Sequence, residues 1–457
     1  MHDIIIAKQT VLTILTGISM KLRNLLPTLL AAMLCAAAAS AQFHGIASSE
    51  YITTKDGVSY NLYNKDKTAM LVKGRQCSVK NYEIPQYITG SSGTKYEVTE
   101  IKSQAFASNN LLESVTIPIS VQVIGHAAFY NCKKLKTVNA PNSFMYYIGI
   151  DVFEGTPWLT DYAAKYKNKP LYWCGWVIGV GEIIDDDDLE IEEGYVGINH
   201  VFQRVNSYGV IIPKSLRYWG GPSTFNKMPN LTYFSVSKAN PYFYEKKGVL
   251  YRKSNDLSEH DGYDLAGKGD YLAVYPKKKA MMKQYKTEPG IVGIDQDAFA
   301  EVKYLKEIVV SEGVKYIGIN AFRYMERLEY LQLPSTIEKL DRAVISCHNL
   351  KTIVILATKK PVMSKDSHMF EFCSPELVIH VPASLLEEYK ADEAYTQYAK
   401  EIRAIDSQVL AIGQTRTDGD AEVEAIYSTD GTRLNAMQKG VNIVRMSDGT
   451  VRKVVRK

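Results

Sequence analysis

Three short stretches of the sequence bring together residue types that can do chemistry. His126 and Cys132 lie close together in residues 124–141 (IGHAAFYNCKKLKTVNAP), and a His and a Cys so placed could bind a metal or supply a nucleophile. Residues 182–193 (EIIDDDDLEIEE) hold eight carboxylates within twelve positions, a composition that can bind Ca²⁺. Residues 276–283 (PKKKAMMK) form a basic turn, which could contact acidic glycans or lipopolysaccharide.

The spacing within these stretches argues against a catalytic or metal centre. Residues 182–193 lack the Gly and the terminal Glu of an EF-hand loop, and alternation around Leu189 and Ile191 instead predicts a strand beside a solvated turn. No pair of cysteines has zinc-site spacing. The sequence also lacks HExxH, GxSxG, P-loop and dinucleotide-binding motifs. We therefore predict no catalytic residue, no metal ligand and no cofactor.

A repeat of about 23 residues accounts for the first stretch. Phe106 and Phe129 lie 23 residues apart, and each is followed by a leucine six residues later and by β-branched residues beyond it. Phe153 with Leu159, a shortened copy at Phe202 and a copy at Val344 continue the series. The repeat positions that we predict to form the core are Phe106, Leu112, Phe129, Leu135, Phe225, Leu231, Phe299, Leu305, Phe322 and Leu328.

The repeat predicts a solenoid that is mainly β with short helical turns. In the unit I-G-x-x-A-F-x-x-C/N-x-x-L-x-x-V-x-I-P the last apolar residues lie two apart, as on one face of a strand, and the proline ends that strand. One coil cannot enclose a core, so neighbouring coils must stack. Cys132 and Cys347 share one phase of the repeat, which indicates small buried fillers, whereas His126 lies at a variable position.

This unit resembles the BspA-like leucine-rich repeats of bacterial surface proteins. The resemblance implies N-terminal capping hairpins in 42–100, a leucine-rich repeat superhelix in 101–375 with hairpin insertions at 160–197 and 239–293, and a C-terminal cap in 376–405. Leu385, Leu386 and Tyr389 are expected to seal the last coil from one helical face. Several copies depart from the pattern: Lys102 and Asp295 are among the residues that replace the glycine after isoleucine, and the fourth copy is one residue short.

The two ends of the chain have features of export. Residues 1–41 read as a secretory signal peptide that starts at Met20 and is cleaved after Ala41. Residues 407–457 have Asp-Gly turns between alternating segments, which predict a small β-domain. This tail resembles the C-terminal sorting domain of the type IX secretion system, which implies an export signal that is cleaved. The alternative is a β-domain that stays attached.

Composition and family resemblance together suggest a binding protein. A formal charge of +4 on 457 residues gives no reason to expect nucleic acid as a partner. We expect a non-catalytic, monomeric protein outside the outer membrane that mediates protein or cell adhesion, as the resemblance implies; the alternative is a surface protein that captures glycans or peptides for nutrient uptake. The partner in either case is an extracellular protein or glycan. Candidate binding residues are the aromatic residues of the two insertions: Tyr172, Trp173, Trp176, Tyr242, Phe243 and Tyr244.

Overall fold

The computed structural model is a stack of β coils with hairpins at its start and at two interruptions. The structure describes residues 48–141, 145–166, 169–181, 187–199, 202, 205–220, 223–253, 269–279, 283–340, 342–363, 368–414, 423–428, 432–434, 438, 440–446 and 451–456. The predicted signal peptide, with Met20 and Ala41, lies outside these residues. In the part of the chain that the structure describes, no helix is long and apolar enough to cross a membrane.

Hairpins cover the first coil. Their strands are β1 (Glu50–Thr53), β2 (Ser59–Tyr63), β3 (Thr68–Lys73), β4 (Asn81–Glu83), β5 (Tyr87–Thr89) and β6 (Lys95–Ile101). Strands β1, β2 and β3 form an antiparallel meander, and β3 then pairs in parallel with β6. The switch from antiparallel to parallel pairing is therefore complete before the first repeat begins.

Each regular coil then contributes one strand to each of two parallel sheets. The first such strands are β7 (Ser114–Thr116), β8 (Val123–Ile124), β9 (Thr137–Asn139) and β10 (Tyr147–Ile148). Strands β7 and β9 continue from β4, whereas β8 and β10 continue from β6. The longer strand carries the V-x-I end of the repeat, and the two-residue strand carries the isoleucine that precedes the repeat glycine.

The first insertion interrupts both sheets. It consists of α1 (Pro157–Ala163), β11 (Pro170–Trp173) and β12 (Trp176–Val180). Phe153 is buried as the repeat predicts, but Leu159 lies in α1 and is only partly buried, because Thr156 accepts a hydrogen bond from the Leu159 amide and Pro157 begins the helix. Coils resume with β13 (Asp188–Glu190), β14 (Gly197–Ile198), β15 (Gly209–Ile212), β16 (Tyr218–Trp219), α2 (Ser223–Asn226) and β17 (Tyr233–Val236).

The second insertion opens the longest run of regular coils. Its strands are β18 (Phe243–Lys246), β19 (Val249–Arg252) and β20 (Asp270–Val274). The coils that follow supply β21 (Gln284–Lys286), β22 (Ile291–Ile294), β23 (Glu307–Val309), β24 (Tyr316–Ile317), β25 (Tyr330–Leu333), β26 (Lys339–Leu340), β27 (Thr352–Ile355), β28 (Val362–Met363) and β29 (Val378–Val381).

A helical cap closes the last coil, and a small sheet follows it. The cap comprises a 3-10 turn (Ala383–Leu385), α3 (Leu386–Lys390), α4 (Glu393–Thr396) and β30 (Glu401–Ala404). Tyr389 is fully buried, and Leu385 and Leu386 pack beside it on the same core. The tail comprises α5 (Ser407–Gln414), β31 (Val423–Tyr427), β32 (Arg433–Leu434), β33 (Gly440–Met446) and β34 (Val451–Arg456). Its strands pair in the order β32-β31-β33-β34, all antiparallel.

The core is built by stacking equal positions of successive coils. All ten repeat positions named above are at most 1% exposed. Phe106 stacks on Phe129 at 5.0 Å between ring centroids, and Phe129 stacks on Phe153 at 5.5 Å. Backbone bonds link the same corners, since the Phe106 amide donates to Ala128 O and the Phe129 amide donates to Val152 O. Three large apolar clusters result in the described residues, and the boundaries between them fall within the two insertions. A small fourth cluster contains Tyr330, Val354 and Val409.

Candidate functional site

The chemistry-bearing residues of residues 124–141 hold the coil together. His126 Nδ1 accepts a hydrogen bond from the Ile150 amide at 3.0 Å, so the ring proton lies on Nε2. Nε2 then donates to the Tyr147 hydroxyl at 3.0 Å. Cys132 is fully buried and its thiol donates to Phe106 O at 3.1 Å. Burial raises the pKa of Cys132 to about 11, which leaves it protonated at neutral pH. His126 therefore bonds to the following coil and Cys132 to the preceding one, so the two side chains do not form a common site.

The acidic stretch does not converge where the structure describes it. Residues 182–186 lie outside the described part of the chain. Within 187–193, Leu189 and Ile191 are buried and the carboxylates between them point outward from β13. Asp188 accepts the Tyr233 hydroxyl, and Glu193 accepts the Lys214 amide at 3.0 Å. Over the described residues, no group of three or more His, Cys, Asp or Glu side chains is placed to hold a metal ion.

Two lysines of the basic turn, Lys277 and Lys279, are used inside the fold, whereas Lys278 and Lys283 are exposed, and contact with acidic glycans or lipopolysaccharide stays a hypothesis. Lys277 pairs with Glu301 at 2.5 Å, and desolvation lowers the pKa of Lys277. Lys278 donates to Asn230 Oδ1 at 2.9 Å, and the largely buried Lys279 donates to Lys247 O. Residues 280–282 lie outside the described part of the chain. Lys277 and Lys278 therefore connect the second insertion to the coils that follow and precede it, and Lys279 bonds within the insertion.

Two of the six aromatic candidates are buried, and the structure corrects them. Trp176 is 1% exposed, because its indole N–H donates to Met145 O at 2.9 Å and its ring packs on Tyr147 and Tyr218. Phe243 is also 1% exposed, within the core of the coils between the insertions. In this structure neither ring is available to a ligand.

The remaining residues of the second insertion also have structural contacts. Tyr244 stacks on the buried Tyr251 at 5.1 Å between centroids, and Tyr242 packs against the same core as Phe243. The segment that carries both rings begins at Asn240, whose buried side-chain oxygen accepts hydrogen bonds from the backbone amides of Tyr242 and Phe243 at 2.8 Å each. The Asn-Pro-Tyr-Phe hairpin is therefore held by an asparagine cap, and Tyr242 and Tyr244 retain only partial exposure.

The first insertion carries a larger aromatic group at the surface. Trp173 lies over the edge of Phe153 and ends the stacked phenylalanine column together with Trp158. Beyond them, Tyr162 packs at 5.0 Å from Tyr166, which is 40% exposed. The tryptophans thus seal the core, whereas the tyrosines extend from it toward solvent.

A second tyrosine pair joins this group. Tyr172 stacks on Tyr195 at 4.0 Å between centroids, and the Tyr162 hydroxyl donates to Tyr172 O at 2.7 Å. The Tyr172 hydroxyl accepts the Glu192 amide at 3.0 Å. We define Tyr162, Tyr166, Tyr172 and Tyr195, with the exposed Glu190, Glu192 and Glu193, as the tyrosine face.

The electrostatics of the tyrosine face are those of a polar, anionic surface. Burial raises the pKa of Tyr172 to about 12. Burial, with the Glu192 carboxylate beside it, also raises the pKa of Tyr195. Each hydroxyl therefore stays protonated and can donate or accept a hydrogen bond. The sequence analysis missed Tyr162, Tyr166 and Tyr195, although Trp158, Tyr162 and Tyr166 recur every four residues, a spacing that places side chains on one helical side.

Stacked coils with short parallel strands and a repeated leucine define a leucine-rich repeat solenoid. The family model of the BspA type leucine rich repeat region matches in six copies, over residues 76–169 and 277–389. Over these two segments the chain is thus similar to the BspA type leucine rich repeat.

Solved structures of similar fold come from bacterial leucine-rich repeat proteins. A leucine rich cell surface protein from Faecalibacterium prausnitzii is 19% identical, with 81% of this chain and 99% of that chain covered and a TM-score of 0.39. A leucine-rich repeat protein from Eubacterium ventriosum is 18% identical (78% and 85% covered, TM-score 0.39), and the pneumococcal vaccine antigen PcpA is 16% identical (79% and 100% covered, TM-score 0.36). At such identities their names say nothing about what this chain binds. No curated protein matches the sequence.

Proposed function

We propose that this non-catalytic repeat protein binds an extracellular protein or a cell surface through the tyrosine face. The observation that carries the proposal is the position of the face. Its four tyrosine rings extend outward from the tryptophans that already close the core, and three exposed carboxylates lie beside them. The tryptophans close the core, whereas Tyr166 is 40% exposed and Tyr162, Tyr172 and Tyr195 are partly exposed, so the face keeps ring surface for recognition.

Tyrosine is well suited to this role. A tyrosine side chain gives a large, rigid contact area at low entropic cost and keeps a hydroxyl for hydrogen bonding. Rings of this kind often supply the residues that dominate binding energy. The carboxylates of Glu190, Glu192 and Glu193 favour a basic partner surface and should make association sensitive to salt.

The proposed location is the outside of the bacterial cell. The predicted signal peptide that ends at Ala41 supports export, and the resemblance of residues 407–457 to a type IX sorting domain supports delivery across the outer membrane. Key positions of that pattern, including Lys439, Asp430 and Gly431, lie outside the described residues. Mass spectrometry of the native protein tests export, since an amino terminus near Gln42 is expected and a mature chain that retains Met20 refutes it.

Glycan or peptide capture for nutrient uptake is the second candidate. It is favoured by the flat outer faces of the stacked Tyr172 and Tyr195 rings, which lie beside carboxylates. Apolar faces of sugars can pack on such rings while sugar hydroxyls donate to carboxylates. A neutral glycan would bind with little dependence on salt, which separates it from a basic protein partner.

The test measures binding of the chain from residue 42 to host matrix proteins, fibronectin among them, and to a glycan array. Tyr166→Ala and Glu192→Gln should each weaken binding about tenfold, as expected for a contributing interface residue. Tyr51→Ala is the matched control, because Tyr51 is 56% exposed and lies on β1 of the N-terminal hairpins rather than in the first insertion. Unchanged affinity in the first two variants, with unchanged melting temperature, refutes the assignment of the face.

A further inference from the structure

Cys347 and Cys373 occupy the same position in two successive coils. The Ser346 amide donates to Glu371 O at 2.8 Å, which fixes the register between these coils and makes Phe370 the equivalent of Val344. Each cysteine therefore lies three residues after the buried landmark of its own coil. Both cysteines lie in the corner that follows the landmark, outside the strands. The backbone bond between the two corners spaces the coils as in a parallel sheet, about 4.8 Å apart, within the Cα separation of about 4.4–6.8 Å that a disulfide requires.

The hydrogen bonds place both thiols in one column. Cys347 Sγ donates to Phe322 O at 2.9 Å, and Cys373 Sγ lies 3.8 Å from Val344 O. Each thiol thus reaches the landmark carbonyl of the preceding coil, so the Cys373 thiol points toward the coil that contains Cys347. Cys347 is fully buried, whereas Cys373 is partly exposed beside the 65% exposed Phe372. A reagent in solvent can reach Cys373 first.

The two thiols also influence each other's ionisation. Hydrogen bonding between the side chains lowers the pKa of Cys373 and, together with burial, raises the pKa of Cys347. The more exposed cysteine, Cys373, therefore loses its proton more readily than Cys347, and the thiolate is the form that attacks a disulfide.

We propose that Cys347 and Cys373 form a disulfide that crosslinks two successive coils when the protein meets a low-molecular-weight disulfide. The Cys373 thiolate attacks one sulfur of the reagent, so that a mixed disulfide forms and one reagent thiol leaves. Cys347 then loses its proton and attacks the Cys373 sulfur, which expels the second reagent thiol. The protein loses two protons and two electrons, which together are two hydrogen atoms, and the reagent takes them up to become two thiols.

The other described cysteines provide the controls. Cys132 has the same repeat position, but its equivalents in the adjacent coils are Asn109 and Thr156, so it has no thiol partner. Cys77 and Cys174 point to the carbonyls of Val79 and Pro141. Only the pair near the C-terminal cap places two cysteines at one phase in successive coils of the described chain.

The test treats the purified full chain with oxidised glutathione, alkylates the remaining thiols and maps them by mass spectrometry. The expected product has Cys347 and Cys373 in one crosslinked peptide pair, a mass lower by two hydrogen atoms and a melting temperature raised by about 5 °C. Cys347→Ser should stop the reaction at a glutathione adduct on Cys373, and Cys132→Ser should leave the crosslink intact. Full alkylation of both cysteines after treatment, or an adduct on Cys373 that persists in the wild-type chain, overturns the proposal.

Discussion

Two adjacent leucines give a direct test of which positions the coil buries. Leu112 is fully buried in the first core cluster, whereas its neighbour Leu111 is 47% exposed. Replacement of each by aspartate makes the same chemical change one residue apart. The expected difference between the two variants therefore reports burial alone.

The magnitude follows from two losses at Leu112. Removal of a buried leucine side chain costs about 2–5 kcal/mol in other cores, and a buried carboxyl without a partner adds more. Glu100, which is only partly buried, already has its pKa raised by desolvation to about 7. We expect Leu112→Asp to lower the free energy of unfolding by about 5 kcal/mol or more at neutral pH, and Leu111→Asp to lower it by less than about 1 kcal/mol.

Urea unfolding followed by circular dichroism measures both variants, and hydrogen exchange locates the damage. Coils contact mainly their neighbours, so lost protection in Leu112→Asp should concentrate before the first insertion. Coils after residue 293 should keep native exchange rates. Equal midpoints for the two variants, or equal loss of protection along the whole solenoid, refute the assignment of inward positions.

Three further predictions concern single side chains. Because burial raises the pKa of Glu100 from 4.5 to about 7, the folded state holds this proton more tightly than the unfolded state, and the stability of the wild type falls as pH rises from about 4.5 to 7. Thermal melts should therefore show Glu100→Gln to be more stable than the wild type above pH 7, by at most about 3 kcal/mol, and equally stable near pH 4. Asn109→Ala should cost about 2–4 kcal/mol in urea unfolding, since its side chain bonds three carbonyls and two amides, whereas the exposed Asn110→Ala should be silent; comparable losses would contradict the role of the cap. Gly318→Ala should lower the melting temperature because its Cβ would lie 2.5 Å from a backbone nitrogen of the preceding coil, while Gly179→Ala, whose Cβ meets a flexible side-chain atom at 3.3 Å, should be tolerated; the reverse order would refute the close-packing argument.

The repeat could be predicted from sequence because stacked coils must have nearly equal lengths, and equal lengths give a regular spacing of the core residues. Phe106, Phe129 and their equivalents recur at nearly constant intervals, and constant intervals are what coils of equal length require. The coil of Cys373 escaped notice because seven residues, rather than six, separate Phe370 from Leu377. The extra residue hid the phase of Cys373, and the neighbouring thiols could not be paired from sequence.

The structure also explains where the repeat glycine is lost. A Cβ on Gly125 would lie 2.3 Å from the Ser103 amide nitrogen of the preceding coil. Lys102 and Asp295 each begin a run of coils, so a hairpin rather than a regular coil precedes them. Asp295 instead forms a bidentate ion pair with Arg252 of the hairpin, at 2.7 and 2.8 Å. At Gly125 and Gly318 the close approach of the preceding coil thus leaves no room for a side chain.

The candidate site was harder to predict because exposure depends on distant partners. Trp176 follows a turn in a hairpin and resembles a surface anchor, yet its N–H reaches Met145, 31 residues earlier. Tyr195 lies beyond the hairpin but stacks on Tyr172. Composition identified the insertion as aromatic, and only the tertiary contacts separate the rings that fill the core from those at the surface.

The division of the core into three clusters has a mechanical consequence. Because the three large clusters follow one another along the solenoid and meet at the insertions, a load applied between its two ends passes through them in series. The weakest cluster should yield first and lengthen the chain while the other two stay folded. If the tyrosine face binds as proposed, extension in steps limits the peak tension on that contact, and a shearing flow stretches the protein before the contact breaks.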